Sequence, residues 1–178
     1  QGRNEQTAKS DQDNCMVLDD GYEPERHGEY FKQLSRFVCD GLDACGYVHC
    51  PGEMMAMTDQ WRQPLQQWRQ YFYRWIEFPE PEALMLTGVF FDQRFVYGKA
   101  ELCATLRAEV VQRTQGNKSF LVNLAGNALQ RQPPLNWLGN ITLIKGGVHE
   151  GCVDLKMQGI VPITDMARFY ALAAGSAA

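Results

Sequence analysis

The sequence predicts an α+β fold, in which a small mixed sheet flanked by helices precedes a mainly helical region with a β-hairpin. Two observations support this prediction. Short apolar runs next to polar or turn-forming residues lie near the amino terminus, at 13–18 and 47–50, and are typical of strands. Elsewhere, apolar residues recur at helical spacing over most of the remaining chain.

The first half of the chain alternates predicted strands and helices. Residues 13–18 are predicted as a strand, 19–24 as a turn and 25–45 as an amphipathic helix that Gly46 ends. A short strand at 47–50 and a helix from about 59 to 76 follow. Five residues form one apolar stripe of this second helix, which we expect in the core: Trp61, Leu65, Trp68, Phe72 and Ile76.

The second half of the chain is predicted to be mainly helical. The sequence Phe78-Pro79-Glu80-Pro81 interrupts the helical pattern and marks the predicted boundary between a domain at 1–77 and a domain at 78–178. A hairpin is expected to pair 141–144 with 153–155 around Gly146 and Gly147. The remaining helices are predicted over 82–91, 99–115, 118–130 and 162–174.

The composition excludes several classes of partner. Of the 178 residues, 45% are hydrophobic and 21% are charged, which is typical of a folded globular protein. The net charge is −4 and no stripe of Lys and Arg offsets it, which argues against nucleic acid as the main partner. No apolar run reaches membrane-spanning length, so no membrane partner is expected.

Six cysteines are present, and none belongs to a Cys-x-x-Cys pair, which argues against a zinc site. They lie mostly in apolar contexts, which favours free thiols over disulfides and indicates a cytoplasmic location. They are Cys15, Cys39, Cys45, Cys50, Cys103 and Cys152.

Asp11 and Asp13 carry the strongest chemical signal in the sequence. They lie two residues apart at the entry of the first predicted strand, so their side chains are expected on the same face. Two such carboxylates can hold Mg²⁺ and leave room for phosphate oxygens, as nucleotidyl transfer requires. An acidic loop that caps the strand is the structural alternative. A calcium EF-hand is excluded, because Cys15 occupies a position that needs an oxygen ligand.

The residues around this pair resemble a known superfamily. Gly2-Arg3-Asn4-Glu5-Gln6-Thr7, followed by Lys9-Ser10-Asp11-Gln12-Asp13, is similar to the polymerase-beta-type nucleotidyltransferases, in which a Gly-Ser turn and a short helix precede Ser-Asp-x-Asp on a strand. In particular, the chain resembles a nucleotidyltransferase family often fused to CBS and cyclic-nucleotide-binding domains. That family is related to PII uridylyltransferase and glutamine synthetase adenylyltransferase.

Three further segments carry the resemblance. They are Cys50-Pro51-Gly52-Glu53-Met54-Met55-Ala56-Met57, Phe90-Phe91-Asp92-Gln93-Arg94, and Val153-Asp154-Leu155-Lys156 with the glycine-bearing turn that follows it. The resemblance implies a catalytic domain at 1–77 and a helical substrate-binding domain at 78–178. It places a Gly-Ser pair immediately ahead of Gln1, so the catalytic domain is expected to be truncated, and the chain as given to be inactive or nearly so.

The resemblance implies roles for individual residues near the amino terminus. Asp11 and Asp13 are the expected catalytic metal ligands, and Gly2 and Arg3 are expected to contact nucleotide. Glu5 pairs with Arg3 or orders the loop, and a solvated helix pair is the equal alternative. Glu53 is the candidate third carboxylate, without which activation of an incoming hydroxyl is compromised.

Accessory residues are expected in the second half. Asp92 and Arg94 form either a salt bridge between the domains or a substrate contact. Lys156, beside Asp154, is expected to contact a phosphate or ribose, and Arg168 is a further candidate cation.

The implied activity is a Mg²⁺-dependent transfer of a nucleoside monophosphate from a nucleoside triphosphate to an acceptor hydroxyl. By analogy with the related enzymes, the acceptor is a side chain of a signalling protein. One alternative is a non-catalytic nucleotide-sensing module that signals to fused domains. A second alternative is a structural interaction domain whose polar motifs serve folding.

Overall fold

The computed structural model describes residues 10–176, which form six α-helices and a two-stranded parallel sheet. The predicted α+β class is confirmed. In chain order, the elements are β1 (Met16–Leu18), α1 (Pro24–Ala44), β2 (Arg62–Pro64), α2 (Leu65–Glu77), α3 (Pro81–Phe91), α4 (Ala100–Thr114), α5 (Lys118–Leu129) and α6 (Val161–Ala173).

The described chain divides into two compact units. The first contains the described residues up to Tyr73 together with Val89–Ala108, and the second contains Arg74–Gly88 and the described residues from Glu109 onward. The units are interleaved along the chain, and the dividing points fall within α2, α3 and α4. The functional division at 77/78 therefore stays a prediction.

The sheet of the first unit is smaller than expected. β1 pairs in parallel with β2, with Met16 opposite Arg62 and Leu18 opposite Pro64. The strand predicted over 13–18 is regular only at Met16–Leu18, and the strand predicted over 47–50 is reduced to a parallel bridge between Gln12 and His49. All strand pairing described in this unit is thus parallel, rather than mixed.

The helix predicted from residue 59 begins only at Leu65. Asp59–Trp61 form a single 3₁₀ turn, and Arg62–Pro64 form β2. Pro64 favours an extended conformation for the residue before it, which suits strand pairing and delays the helix. Asp20, in the turn after β1, then accepts a hydrogen bond from Gln66 N at 2.7 Å and satisfies a free N–H of the first turn of α2.

Arg62 ties the strand β2 to its surroundings through a buried guanidinium, with only 6% of its side chain exposed. Its Nη1 donates to Ser35 Oγ of α1 at 3.2 Å and to the carbonyl oxygens of Ala56 and Met57 at 2.8 and 3.3 Å. Its Nη2 forms an ion pair with Asp59. A buried charge is tolerated here because its donors are matched by nearby acceptors.

The core of the first unit is mainly aromatic. The Phe90 ring lies 4.6 Å from Trp61 and 5.1 Å from Trp68, measured between centroids, and Trp68 Nε1 donates to Met16 O at 3.1 Å. This indole hydrogen bond joins the core to β1. The prediction that the stripe is buried is confirmed for all five residues: Trp61, Leu65, Trp68 and Phe72 of this unit are each at most 6% exposed, and Ile76, which belongs to the second unit, is 1% exposed.

The second unit is helical, and its α6 packs against α5. Its buried residues include Leu84, Phe120, Leu124 and Leu172. A buried carboxylate, Asp165, accepts from Arg131 Nη1 at 2.7 Å and from Arg168 Nη1 at 2.6 Å. The ion pair with Arg131 joins α6 to the segment that follows α5.

The hairpin expected in this unit is incomplete. Ile144 N donates to Cys152 O at 2.9 Å, and Ile144 O accepts from Gly151 N at 3.0 Å, which closes a loop around Gly146 and Gly147. Both glycines have positive φ, near 80°, which favours glycine. The second predicted strand, 153–155, does not form, because Asp154 starts a helical turn by accepting a hydrogen bond from Met157 N at 2.9 Å.

Two expectations about the whole chain concern cysteines and membranes. All six cysteines are free thiols, as predicted. Across residues 10–176, no helix has both the length and the apolar character needed to span a bilayer.

The buried Arg62 gives a stability prediction. We expect Arg62→Met to lower the free energy of unfolding by about 1.5–3 kcal/mol, because two carbonyl oxygens and the Ser35 hydroxyl lose a charged donor. Urea titration followed by tryptophan fluorescence measures the change. Arg26→Met is the matched control, since its ion pair with Glu23 is exposed and is expected to contribute less than about 1 kcal/mol. Equal losses in the two variants would contradict the role given to Arg62.

Candidate metal and nucleotide site

Two carboxylates and one thiol converge in the first unit. One carboxylate oxygen each of Asp11 and Asp13 and the Sγ of Cys50 all lie within 4.8 Å of one another. Asp13 is exposed, Asp11 is half-buried and Cys50 is only 9% exposed. The expected proximity of the two aspartates is therefore present, whereas their role in binding metal stays a prediction.

Gln12, between the two aspartates, points into the protein and fixes the direction of its neighbours. Its Nε2 donates to the carbonyl oxygens of Cys39 and Tyr47, each at 2.9 Å, and its backbone N donates to Val48 O at 3.0 Å. Because side chains alternate in extended chain, the inward direction of Gln12 directs both carboxylates the other way.

Asn14 completes the anchoring of this segment. Its backbone N donates to Met54 O at 3.0 Å, and its Oδ1 accepts from Ala56 N at 2.9 Å. Its Nδ2 donates to Gln12 Oε1 at 3.0 Å, so the two amide side chains support each other. The carboxylate pair is thus held between α1 and the loop at 54–56 by amides that carry no charge.

The turn after Cys50 positions the thiol. Glu53 N donates to Cys50 O at 2.9 Å, and Glu53 O accepts from Met55 N and from the hydroxyl of Thr58. Glu53 has a φ of 55°, a left-handed conformation that is uncommon outside glycine. The left-handed conformation places Glu53 in the turn that follows Cys50. Within the described residues, the group of possible metal ligands contains Cys50 and not Glu53. Its part as a third acid stays a prediction.

The thiol of Cys50 is held in its protonated form. Burial raises its pKa most, and the neighbouring Asp13 carboxylate, with which it forms a hydrogen bond, raises it further. The sulfur also accepts hydrogen bonds from the backbone N–H groups of Met54 and Gly52, which act in the opposite direction. The thiol proton is therefore available to the Asp13 carboxylate.

The donor set fits a hard divalent cation. Two adjacent carboxylates supply oxygen ligands, and the exposure of Asp13 leaves space for water or phosphate oxygens, which Mg²⁺ prefers to retain. A neutral thiol contributes little to such an ion.

The other predicted site residues lie in different parts of the molecule. Asp92 is half-buried and Arg94 is exposed in the segment after α3. Asp154 is half-buried at the start of a helical turn, and Lys156 is exposed within that turn. Arg168 is directed into the buried ion pair with Asp165, and only 10% of its side chain is exposed. Gly2, Arg3 and Glu5 lie outside the described residues.

Sequence reasoning missed three residues of this site. Gln12 and Asn14 anchor the carboxylates, and Cys50 completes the group. The period-two alternation of 11–14 gave a signal for Gln12, since the residue between two exposed acids of a strand points inward. No local signal placed Cys50, because it lies 37 positions from Asp13 in the chain and meets it only through folding.

Comparison with known proteins gives two matches to family models. Residues 1–82 match the model described as "Putative nucleotidyltransferase DUF294", and residues 118–178 match the one described as "Putative nucleotidyltransferase substrate binding domain". No curated protein and no solved structure matches the chain. The first match contains the whole Asp11, Asp13 and Cys50 group, and the second contains Asp154, Lys156 and Arg168. The two models agree with the resemblance seen in the sequence, and the chain belongs to this family of nucleotidyltransferases.

Proposed function

We propose that the protein transfers a nucleoside monophosphate from a nucleoside triphosphate to an acceptor hydroxyl, with Mg²⁺ held by Asp11 and Asp13. The observation that carries the proposal is the convergence of these two carboxylates on an anchored segment within the part of the chain that matches the nucleotidyltransferase model. Phosphoryl transfer asks a protein mainly for positioning and for neutralisation of charge. Bound Mg²⁺ supplies that neutralisation on the triphosphate.

The protein's own residues contribute position. Gln12 and Asn14 fix the backbone on either side of Asp13, so the carboxylates need little rearrangement when a cation binds. Lys156 is proposed to contact a phosphate or ribose oxygen of the nucleotide, since it is an exposed cation near the start of a helical turn. The acceptor is proposed to be a side chain of a signalling protein, and the six free thiols support a cytoplasmic location.

A second candidate function is nucleotide sensing without turnover. One observation favours it: among the described residues, the third member of the group is a thiol rather than a carboxylate. A site with two carboxylates can bind a Mg²⁺–nucleotide complex, yet it has no evident base for the incoming hydroxyl. Turnover assays on the intact protein that detect transfer of labelled nucleotide to protein separate the two functions.

The carboxylate pair gives a direct test of the proposal. We expect Asp11→Asn and Asp13→Asn each to weaken Mg²⁺-dependent nucleoside triphosphate binding at least about tenfold, because each loses a charged ligand worth about 1.5 kcal/mol or more. Isothermal titration calorimetry with and without Mg²⁺ measures the change. Glu25→Gln, which removes an exposed acid of α1, is the charge-matched control and is expected to bind normally. Unchanged Mg²⁺-dependent binding in both aspartate variants would contradict the proposal.

Lys156 gives a second test. Lys156→Ala is expected to weaken nucleotide binding by about 1.5–3 kcal/mol, the range for hydrogen bonds to charged groups. Lys145→Ala is the control, since Lys145 is an exposed lysine in the loop around Gly146 and Gly147. The same titration applies to both variants, and equal affinities would leave Lys156 with no role in nucleotide binding.

A further inference from the structure

The group formed by Asp11, Asp13 and Cys50 contains a donor that magnesium chemistry does not use. Its ligand atoms come from two segments of the chain, and each lies within 4.8 Å of the other two. This spacing allows one ion to contact all three. The absence of a Cys-x-x-Cys pair argues against a zinc site of paired cysteines, whereas this arrangement has one cysteine and two carboxylates.

Two backbone N–H groups face the sulfur of Cys50, whose proton a bound cation must displace. It accepts hydrogen bonds from the backbone N–H groups of Met54 and Gly52, which stabilise negative charge on sulfur. Gly52 lies directly beside it, since a Cβ on that residue would be 3.6 Å from Sγ. Cys50 is only 9% exposed, and its sulfur lies within 4.8 Å of a carboxylate oxygen of each aspartate.

We propose that Asp11, Asp13 and Cys50 form a site for a thiophilic divalent cation, Zn²⁺ in the cell and Cd²⁺ as a probe, which competes with Mg²⁺ and inhibits the protein. Binding forms one metal–sulfur bond and two metal–oxygen bonds, and the thiol proton leaves to solvent. Three protein ligands leave a fourth tetrahedral position for water. Sulfur ligands and the Irving–Williams order both favour Zn²⁺ over Mg²⁺.

The inference deepens the proposed function, and it rests on that proposal only for the competition with Mg²⁺. Binding of the thiophilic ion is a property of the three side chains alone. The two claims are therefore tested by separate measurements, and either can fail without the other.

The test is a titration of the protein with Cd²⁺, followed by the ultraviolet charge-transfer absorption of the cadmium–thiolate bond. The wild type is expected to give a saturable band at one equivalent, and Cys50→Ser is expected to lose it. Cys45→Ser, which removes an exposed thiol, is the matched control and is expected to keep the band. A band retained in Cys50→Ser would overturn the proposal.

A second measurement keeps the test valid if Cys50→Ser fails to fold. The double variant Asp11→Asn/Asp13→Asn leaves every thiol in place and alters side chains that are exposed or half-buried. Its Cd²⁺ affinity, from the same absorption, is expected to fall at least about tenfold, and unchanged affinity would overturn the proposal. Competition is read separately, as a Zn²⁺-dependent loss of Mg²⁺–nucleotide binding that Cys50→Ser abolishes. If Cd²⁺ binds as expected but Mg²⁺–nucleotide does not bind, the proposed function fails and the thiophilic site stands.

Discussion

The segment from Asp11 to Asn14 is held by a network of amide hydrogen bonds, and the candidate site depends on it. Gln12 is buried and donates to the carbonyl oxygens of Cys39 in α1 and Tyr47 just beyond it. Asn14 forms hydrogen bonds with the loop at 54–56. Each such bond is worth about 0.5–1.5 kcal/mol, and leaving a buried amide unpaired costs more. The network therefore fixes the direction of Asp11 and Asp13 by making other arrangements of Gln12 costly.

A second set of contacts, from Arg62, holds the same loop. Arg62, the first residue of β2, donates to the carbonyl oxygens of Ala56 and Met57. These two residues come shortly after the turn that begins at Cys50. Pairing of β2 with β1 brings this guanidinium to the strand that continues from Asn14. The stretch that follows the Cys50 turn is thus bonded by Asn14 at Met54 and Ala56 and by Arg62 at Ala56 and Met57, which holds the loop of a thiol distant in sequence against the segment of the aspartates.

The second unit uses its charges mainly for its own structure. Asp165 binds both Arg131 and Arg168, and a methyl group on Gly88 would lie 3.3 Å from the Arg168 guanidinium, so alanine there would require the guanidinium to shift by a few tenths of an ångström. Asp154 caps the helical turn that contains Lys156. The sequence offers Lys156 as a nucleotide contact and Arg168 as a further candidate cation, and burial separates them: Arg168 is paired inside the unit, whereas Lys156 is exposed.

The sequence by itself determined the α+β class, the bounds of α1 and of α3 to α6 to within a residue or two, and the shared direction of Asp11 and Asp13. These features follow from local periodicity, turn chemistry and capping, which need no distant contacts. Only the tertiary structure decided that Arg62–Pro64 forms a strand, that 153–155 does not, and that Cys50 joins the carboxylates. The strand at 62–64 depends on β1, and the position of Cys50 depends on Asp13; both partners lie far along the chain, and a local pattern contains no information about which distant residue will be met. At 153–155, the helical turn that Asp154 caps forms in place of pairing with 141–144.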